Sequence, residues 1–175
     1  MTDPVKNCGQ LGLQPGMHVA DLGSGAGFYT LAAAELVGEG GKVFAVDVRK
    51  DMLEKIKSTA NNEGYTNVEV VWGNIEAENG TRLRGDSIDA AIIANTLFQI
   101  EDLAGMARET VRILKPGGAV LVVDWTGPHG GLGPAEDHVV PEEKAREVFE
   151  LAGFSHVRDI PAGEHHYGFI LTHRS

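Results

Sequence analysis

The residues of this chain best suited to chemistry cluster in Val19–Thr30, VADLGSGAGFYT, where Gly23, Gly25 and Gly27 follow Asp21. Glycines at such spacing let a chain turn tightly and let its backbone approach a ligand closely. A second carboxylate, Asp47, closes the next apolar run, KVFAVDV. A carboxylate at that place can accept both hydroxyls of a ribose. Taken alone, the three glycines equally describe a tight strand-to-helix turn. A pyrophosphate-binding turn of the G-x-G-x-x-G/A type is disfavoured, because it needs a small residue where Phe28 stands. Asp21 also places a negative group beside the turn, which suits an amino-acid ammonium better than a pyrophosphate.

Such residues need a scaffold, and the hydrophobic pattern supplies one. Apolar runs at 18–23, 42–48, 68–74, 87–95 and 118–125 read as strands. They are continuous rather than alternating, as expected of a parallel sheet covered on both faces. Helical segments separate them at 27–38, at 50–62 with Met52, Leu53 and Ile56 on one face, and at 101–114 ahead of Pro116. Residues 126–140 are rich in Gly and Pro and read as a loop, followed by a helix over 141–153. HVRDIPAG and HYGFILTH read as two closing strands. The expectation is an α/β fold: a doubly wound, mostly parallel seven-stranded sheet with helices on both faces and an antiparallel last strand, spanning 1–175 as one domain.

Candidates for proton transfer are few. Asp124 ends the fifth strand, where active sites of such sheets lie, but a strand-end turn role is equally open. His129 and His138 sit in the loop region, where a solvated or capping role is the simpler reading. His165, His166 and Tyr167 alternate faces on a strand, so at least one meets a core or pocket. Asp124, His166 and Tyr167 are the catalytic candidates. The histidines are scattered and form no H-x-x-x-H or H-E-x-x-H pattern, so no metal is expected. Trp72 and Trp125 read as packing residues, and Phe98 as either pocket lining or packing.

In order and spacing, residues 19–125 resemble the class I S-adenosylmethionine-dependent methyltransferases, especially the small-molecule group that includes the ubiquinone/menaquinone-biosynthesis enzymes. DLGSGAG, VDVRKDML, GNIEA, GDSIDAAIIANTLFQIED and LKPGGAVLVVDW carry the resemblance. It implies S-adenosylmethionine as cofactor and S-adenosylhomocysteine as product. It further implies that Asp21, Gly23 and Gly25 surround the methionine moiety and that Asp47 holds the ribose. Val48 and Met52 would pack near the adenine, Asn74 would meet its amino group, Ile75 would cover the ring, and Asn95 would face the reacting centre. Relatives often carry Asp at position 74, but an amide oxygen can accept the same bond.

The resemblance and the composition together narrow the acceptor. The formal net charge is −10, which repels phosphate backbones and anionic lipid and so disfavours nucleic-acid and membrane roles. The single cysteine, Cys8, leaves no internal disulfide and reads as a bystander near a mobile end; it also disfavours an arsenite acceptor. NTLF at 95–98 replaces the N-P-P-Y signature of exocyclic-amine methylation. A small-molecule acceptor in the cytoplasm is the main expectation, with no signal peptide or membrane span. RNA or protein methylation, a non-catalytic binding or adapter role, and a dehydrogenase are the alternatives; a homodimer is left open. The lid over the site is expected from 1–17, 96–102, 126–140 or another subunit.

Overall fold

The computed structural model describes residues 2–174. Seven strands form one sheet: β1 His18–Leu22, β2 Lys42–Asp47, β3 Val68–Trp72, β4 Ile88–Ala94, β5 Leu114–Trp125, β6 Phe154–Asp159 and β7 His166–His173. Their spatial order is β3-β2-β1-β4-β5-β7-β6. β7 runs antiparallel to both β5 and β6, and the pairs from β3 to β5 are parallel. Five helices cover the sheet: α1 Pro4–Leu11, α2 Phe28–Val37, α3 Lys50–Asn62, α4 Leu103–Ile113 and α5 Glu142–Ala152. The expected sheet and its antiparallel last strand are therefore present. Among the described residues, no helix is long and apolar enough to cross a membrane.

The continuous apolar runs have the cause their pattern implied. Side chains alternate across a strand, and both faces of the central strands are covered. Val19, Val43, Ile92, Leu121 and Val123 pack on the side of α1 and α2 with Ala33 and Val37. Ala20, Val46, Ile93, Val120 and Val122 pack on the opposite side with Met106, Ile113 and Phe149. The chain departs in opposite directions from β1 and β4, so a crevice opens at their carboxyl ends, where open α/β sheets bind ligands.

Three details differ from the pattern. β5 begins at Leu114, before the Pro116–Gly118 turn, because Leu114 pairs with Ile88 ahead of an irregularity in the β4–β5 register. Trp72 is not a core residue: it is half exposed, with the Lys50 ammonium 3.9 Å from its ring. The third is α1, which the pattern did not reveal. Asp3 caps it by accepting from the Lys6 N–H, Pro4 opens its first turn, and Gly12 ends it at φ 82°. Cys8 is thus no bystander; it is fully buried between α1 and the sheet, and burial pushes its thiol up to about 12.

One polar side chain pins α1 down. Asn7, 1% exposed, donates to the Tyr29 hydroxyl at 3.1 Å and to the Ala162 carbonyl at 3.4 Å. Asn7→Ala is expected to lose about 2 kcal/mol of stability, since it leaves buried groups unpaired. Urea denaturation checks this; a loss below about 0.5 kcal/mol would contradict the anchoring role.

Candidate functional site

The crevice at the β1–β4 reversal is a cavity of about 780 Å³. That lies in the upper part of the range for small-ligand sites, roughly 300–1,000 Å³, and leaves room for a nucleoside-sized molecule and a compact second one. Asp21, Gly23, Gly25, Asp47, Val48, Asn74, Ile75 and Asn95 all line it. Met52 does not: it lies part-buried on α3, whose buried residues are Leu53, Ile56 and Ala60.

The glycine turn shapes one wall. Gly23 has φ 74°, and a Cβ there would meet the Thr96 side chain at 2.5 Å, so no larger residue fits. Gly25 has φ 52° with open space where a Cβ would stand, so its backbone edge borders the cavity directly. Its N–H donates to Asp47 Oδ2 at 2.9 Å, and the Arg49 N–H donates to Asp47 Oδ1 at 2.9 Å. Both Asp47 oxygens are thus oriented by backbone donors, and each keeps a lone pair for a further donor. Asn74 Oδ1 accepts from the Glu76 N–H at 3.0 Å, and Glu76 Oε1 in turn accepts from the N–H groups of Glu101 and Asp102.

Asp21 is the electrostatic centre. It is 2% exposed, and its carboxylate accepts from Thr30 Oγ1 at 2.7 Å. Burial, with the charge of Asp47 nearby, pushes its carboxyl up to about 7, against the opposing pull of the Thr30 hydroxyl. A carboxylate so placed lacks a cation, and a positively charged ligand in the cavity would supply one. Asn95, directly after β4 at φ 55°, has a buried side-chain oxygen without a partner among the described residues, as does the Ser24 hydroxyl. A cavity with a cation-seeking carboxylate, a ribose-type carboxylate and unpaired amide and hydroxyl groups fits an aminoacyl-nucleoside such as S-adenosylmethionine.

Two of the three catalytic candidates do not reach this cavity. Asp124 is fully buried and accepts from the backbone N–H groups of Thr96, Leu97 and Trp125 at 3.1, 2.8 and 2.8 Å. Burial pushes its carboxyl up to about 6 while those three donors pull it down. It is a structural acceptor that fixes the turn after β4 and thereby Asn95. Tyr167 lies on the opposite face of β7, with its hydroxyl donating to the Val140 carbonyl at 2.9 Å. His166 does line the cavity. His129 bonds Thr126 at 2.7 Å, His138 lies in an exposed turn, and Phe98 does not line the cavity.

Much of the remaining lining comes from His165 and from the segments expected to lid the site, and Trp125, read as a packing residue, joins it. Thr2 and Pro4 reach the cavity from the start of the chain, Gln99 and Ile100 from the turn after β4, Trp125 from the end of β5, Leu132 from the loop after it and His165 from the residue before β7. The Asp3-Pro4 helix-start signature was the available clue to the first pair. Among the described residues, the Asp, Glu, Lys and Arg side chains that line the cavity are Asp21, Asp47, Arg49 and Glu76.

Comparison with known proteins agrees with this geometry. Residues 13–157 match the family model described as a methyltransferase domain. The ubiquinone/menaquinone biosynthesis C-methyltransferase of Shewanella sp. strain ANA-3 is 32% identical over 144 residues, 82% of this chain and 51% of that protein. A demethylmenaquinone methyltransferase of Lactococcus lactis is 32% identical over 124 residues, 71% of this chain and 48% of its own length. The chain spans about half the length of the curated relatives it matches. A solved S-adenosylmethionine-dependent methyltransferase from Aquifex aeolicus superposes with a TM-score of 0.89 at 30% identity, covering 98% of this chain and 89% of that one.

The Asp21 environment yields a stability prediction. Its folded-state carboxyl titrates above the ordinary value, so the folded chain holds that proton more tightly than the unfolded one. Without ligand, this group therefore costs stability as pH rises from about 4 through about 7. Asp21→Asn is expected to exceed the parent at pH 8 by on the order of 2 kcal/mol, with the difference vanishing near pH 4. Chemical denaturation at the two pH values checks this, and a variant less stable than the parent at pH 8 would contradict it.

Proposed function

The chain belongs to the S-adenosylmethionine-dependent methyltransferase family, and from that premise we propose that it moves a methyl group from this cofactor to a small, uncharged, ring-bearing acceptor. The observation that carries the reading is the buried Asp21 carboxylate in the wall of a cavity rimmed by the Gly23–Gly27 turn. S-adenosylmethionine supplies an activated methyl group on a sulfonium centre. Asp21 would face its cationic amino-acid portion, and Gly23 and Gly25 would let the backbone close on the methionine moiety. Asp47 would accept the ribose hydroxyls with the lone pairs that Gly25 and Arg49 leave free. Val48 and Ile75 would flank the adenine with Asn74 at its amino group, and Asn95 would face the reacting centre.

The protein's part in the rate is then positioning and exclusion of water. A general base is needed only for an acceptor that arrives protonated. Asp21 and Asp47 are taken up by the cofactor on this reading, and the apolar and neutral polar residues that make up most of the remaining lining support a neutral acceptor, since a charged one would lose hydration against them. The relatives named for ubiquinone and menaquinone biosynthesis support a quinol ring carbon as the methyl's destination. Localisation in the cytoplasm accords with this reading.

Two measurements test it. Incubation with methyl-labelled S-adenosylmethionine and chemically reduced demethylmenaquinone is expected to put label into the quinol. Label in RNA or protein pools in its place would overturn the small-molecule acceptor. Asp47→Ala is expected to weaken S-adenosylmethionine binding by more than about tenfold in equilibrium dialysis, because it removes paired charge-assisted contacts. Unchanged affinity would sink the ribose assignment.

A further inference from the structure

The cavity wall contains a polar side chain to which the cofactor reading gives no role, His166. His166 opens β7 and is 8% exposed, yet among the described residues neither of its ring nitrogens has a hydrogen-bond partner. Its neighbour Tyr167 is buried to the same degree, and its hydroxyl is satisfied by Val140. Buried polar groups are almost always paired, so the contrast between adjacent residues calls for a cause. A phenylalanine at 166 would fill the same space without leaving two polar atoms unpaired.

The β5–β7 register sets Trp125 directly opposite His166, so both rings project from one face of the sheet. Their centroids lie 4.2 Å apart, and both line the cavity. Above them runs the 126–133 segment. The Gly133 backbone packs close to Trp125, so that a Cβ at 133 would meet the indole at 2.8 Å. Thr126 bonds the His129 ring, which in turn stacks against His165 at 4.2 Å. The segment therefore covers Trp125, and Trp125 covers the imidazole.

Burial pushes the His166 imidazole down to about 4, so the ring is neutral near pH 7, with one donor nitrogen and one acceptor nitrogen. A hydroxyl both donates and accepts, so it can bond this ring in either tautomer; a carbonyl or an ether can only accept. On the reading that Asp21 and Asp47 hold the methyl donor, we propose that His166 recognises the acceptor, hydrogen-bonding a hydroxyl on it when Trp125 and the 126–133 segment shift off the imidazole. His166 is then a specificity residue that selects hydroxyl-bearing rings from ring compounds of the same shape.

The test uses protein saturated with S-adenosylhomocysteine and two probes of matched shape, 2-naphthol and 2-methylnaphthalene. The parent is expected to bind 2-naphthol about tenfold more tightly, the worth of one well-placed hydrogen bond. His166→Phe is expected to bring that preference below about twofold while keeping the parent's affinity for S-adenosylhomocysteine. His166→Asn, which retains a donor and an acceptor, is expected to restore part of it. In nitrogen-15 spectra of the parent, the His166 ring signals should move with 2-naphthol and not with 2-methylnaphthalene. An undiminished preference in His166→Phe, or no preference in the parent, overturns the proposal while leaving the cofactor reading intact. Failure of the parent to bind S-adenosylhomocysteine overturns both.

Discussion

A carboxylate buried at the end of β1 with one neutral hydroxyl as partner is an expensive thing to keep in a fold. Asp21 is held by Thr30 and by no cation among the described residues, and its carboxyl is driven up toward neutrality. An asparagine could take the same hydrogen bond without the electrostatic cost. The other features of the site surround that cost. Gly23 and Gly25 bring backbone rather than side chain up to the carboxylate, Asp47 orders the turn through the Gly25 N–H, and the cavity opens where a cation would neutralise the charge. The account of function follows from treating that unbalanced charge as half of a binding interaction.

The sheet makes the arrangement rigid. β1 is paired on both sides, by β2 and β4, so Asp21 and the turn after it stand on a strand that cannot shift by itself. The turn after β4 is fixed from the other side by Asp124, whose two oxygens take three backbone N–H groups. That locks Asn95 in a left-handed backbone conformation facing the cavity. Asp124 thus works through geometry, holding the residue that borders the cavity without bordering it.

Much of this was legible in the sequence because its cause is local. Strands covered on both faces need unbroken apolar runs, and the runs ending in Asp21, Asp47 and Asn95 marked where the sheet would open. What stayed hidden depended on long-range register. Whether His166 or Tyr167 faces the cavity is decided by how β7 pairs with β5, and no pattern within HHYG carries that phase. The same register turns the Asp124 carboxylate into the turn after β4. Met52 is a related case: it was grouped with Leu53 and Ile56 on one face of α3, but those two are buried while Met52 is only part-buried and does not line the cavity. Cys8 and Asn7 were missed because a short helix near the chain's start, with only a weak local signal at Asp3-Pro4, owes its place to contacts with Tyr29 and Ala162 far along the sequence.

Calorimetric titration of the purified protein with S-adenosylhomocysteine and, separately, with NAD tests the central claim most directly. The account predicts one saturable site for S-adenosylhomocysteine and no binding heat with NAD. Saturable NAD binding with no response to S-adenosylhomocysteine would contradict it.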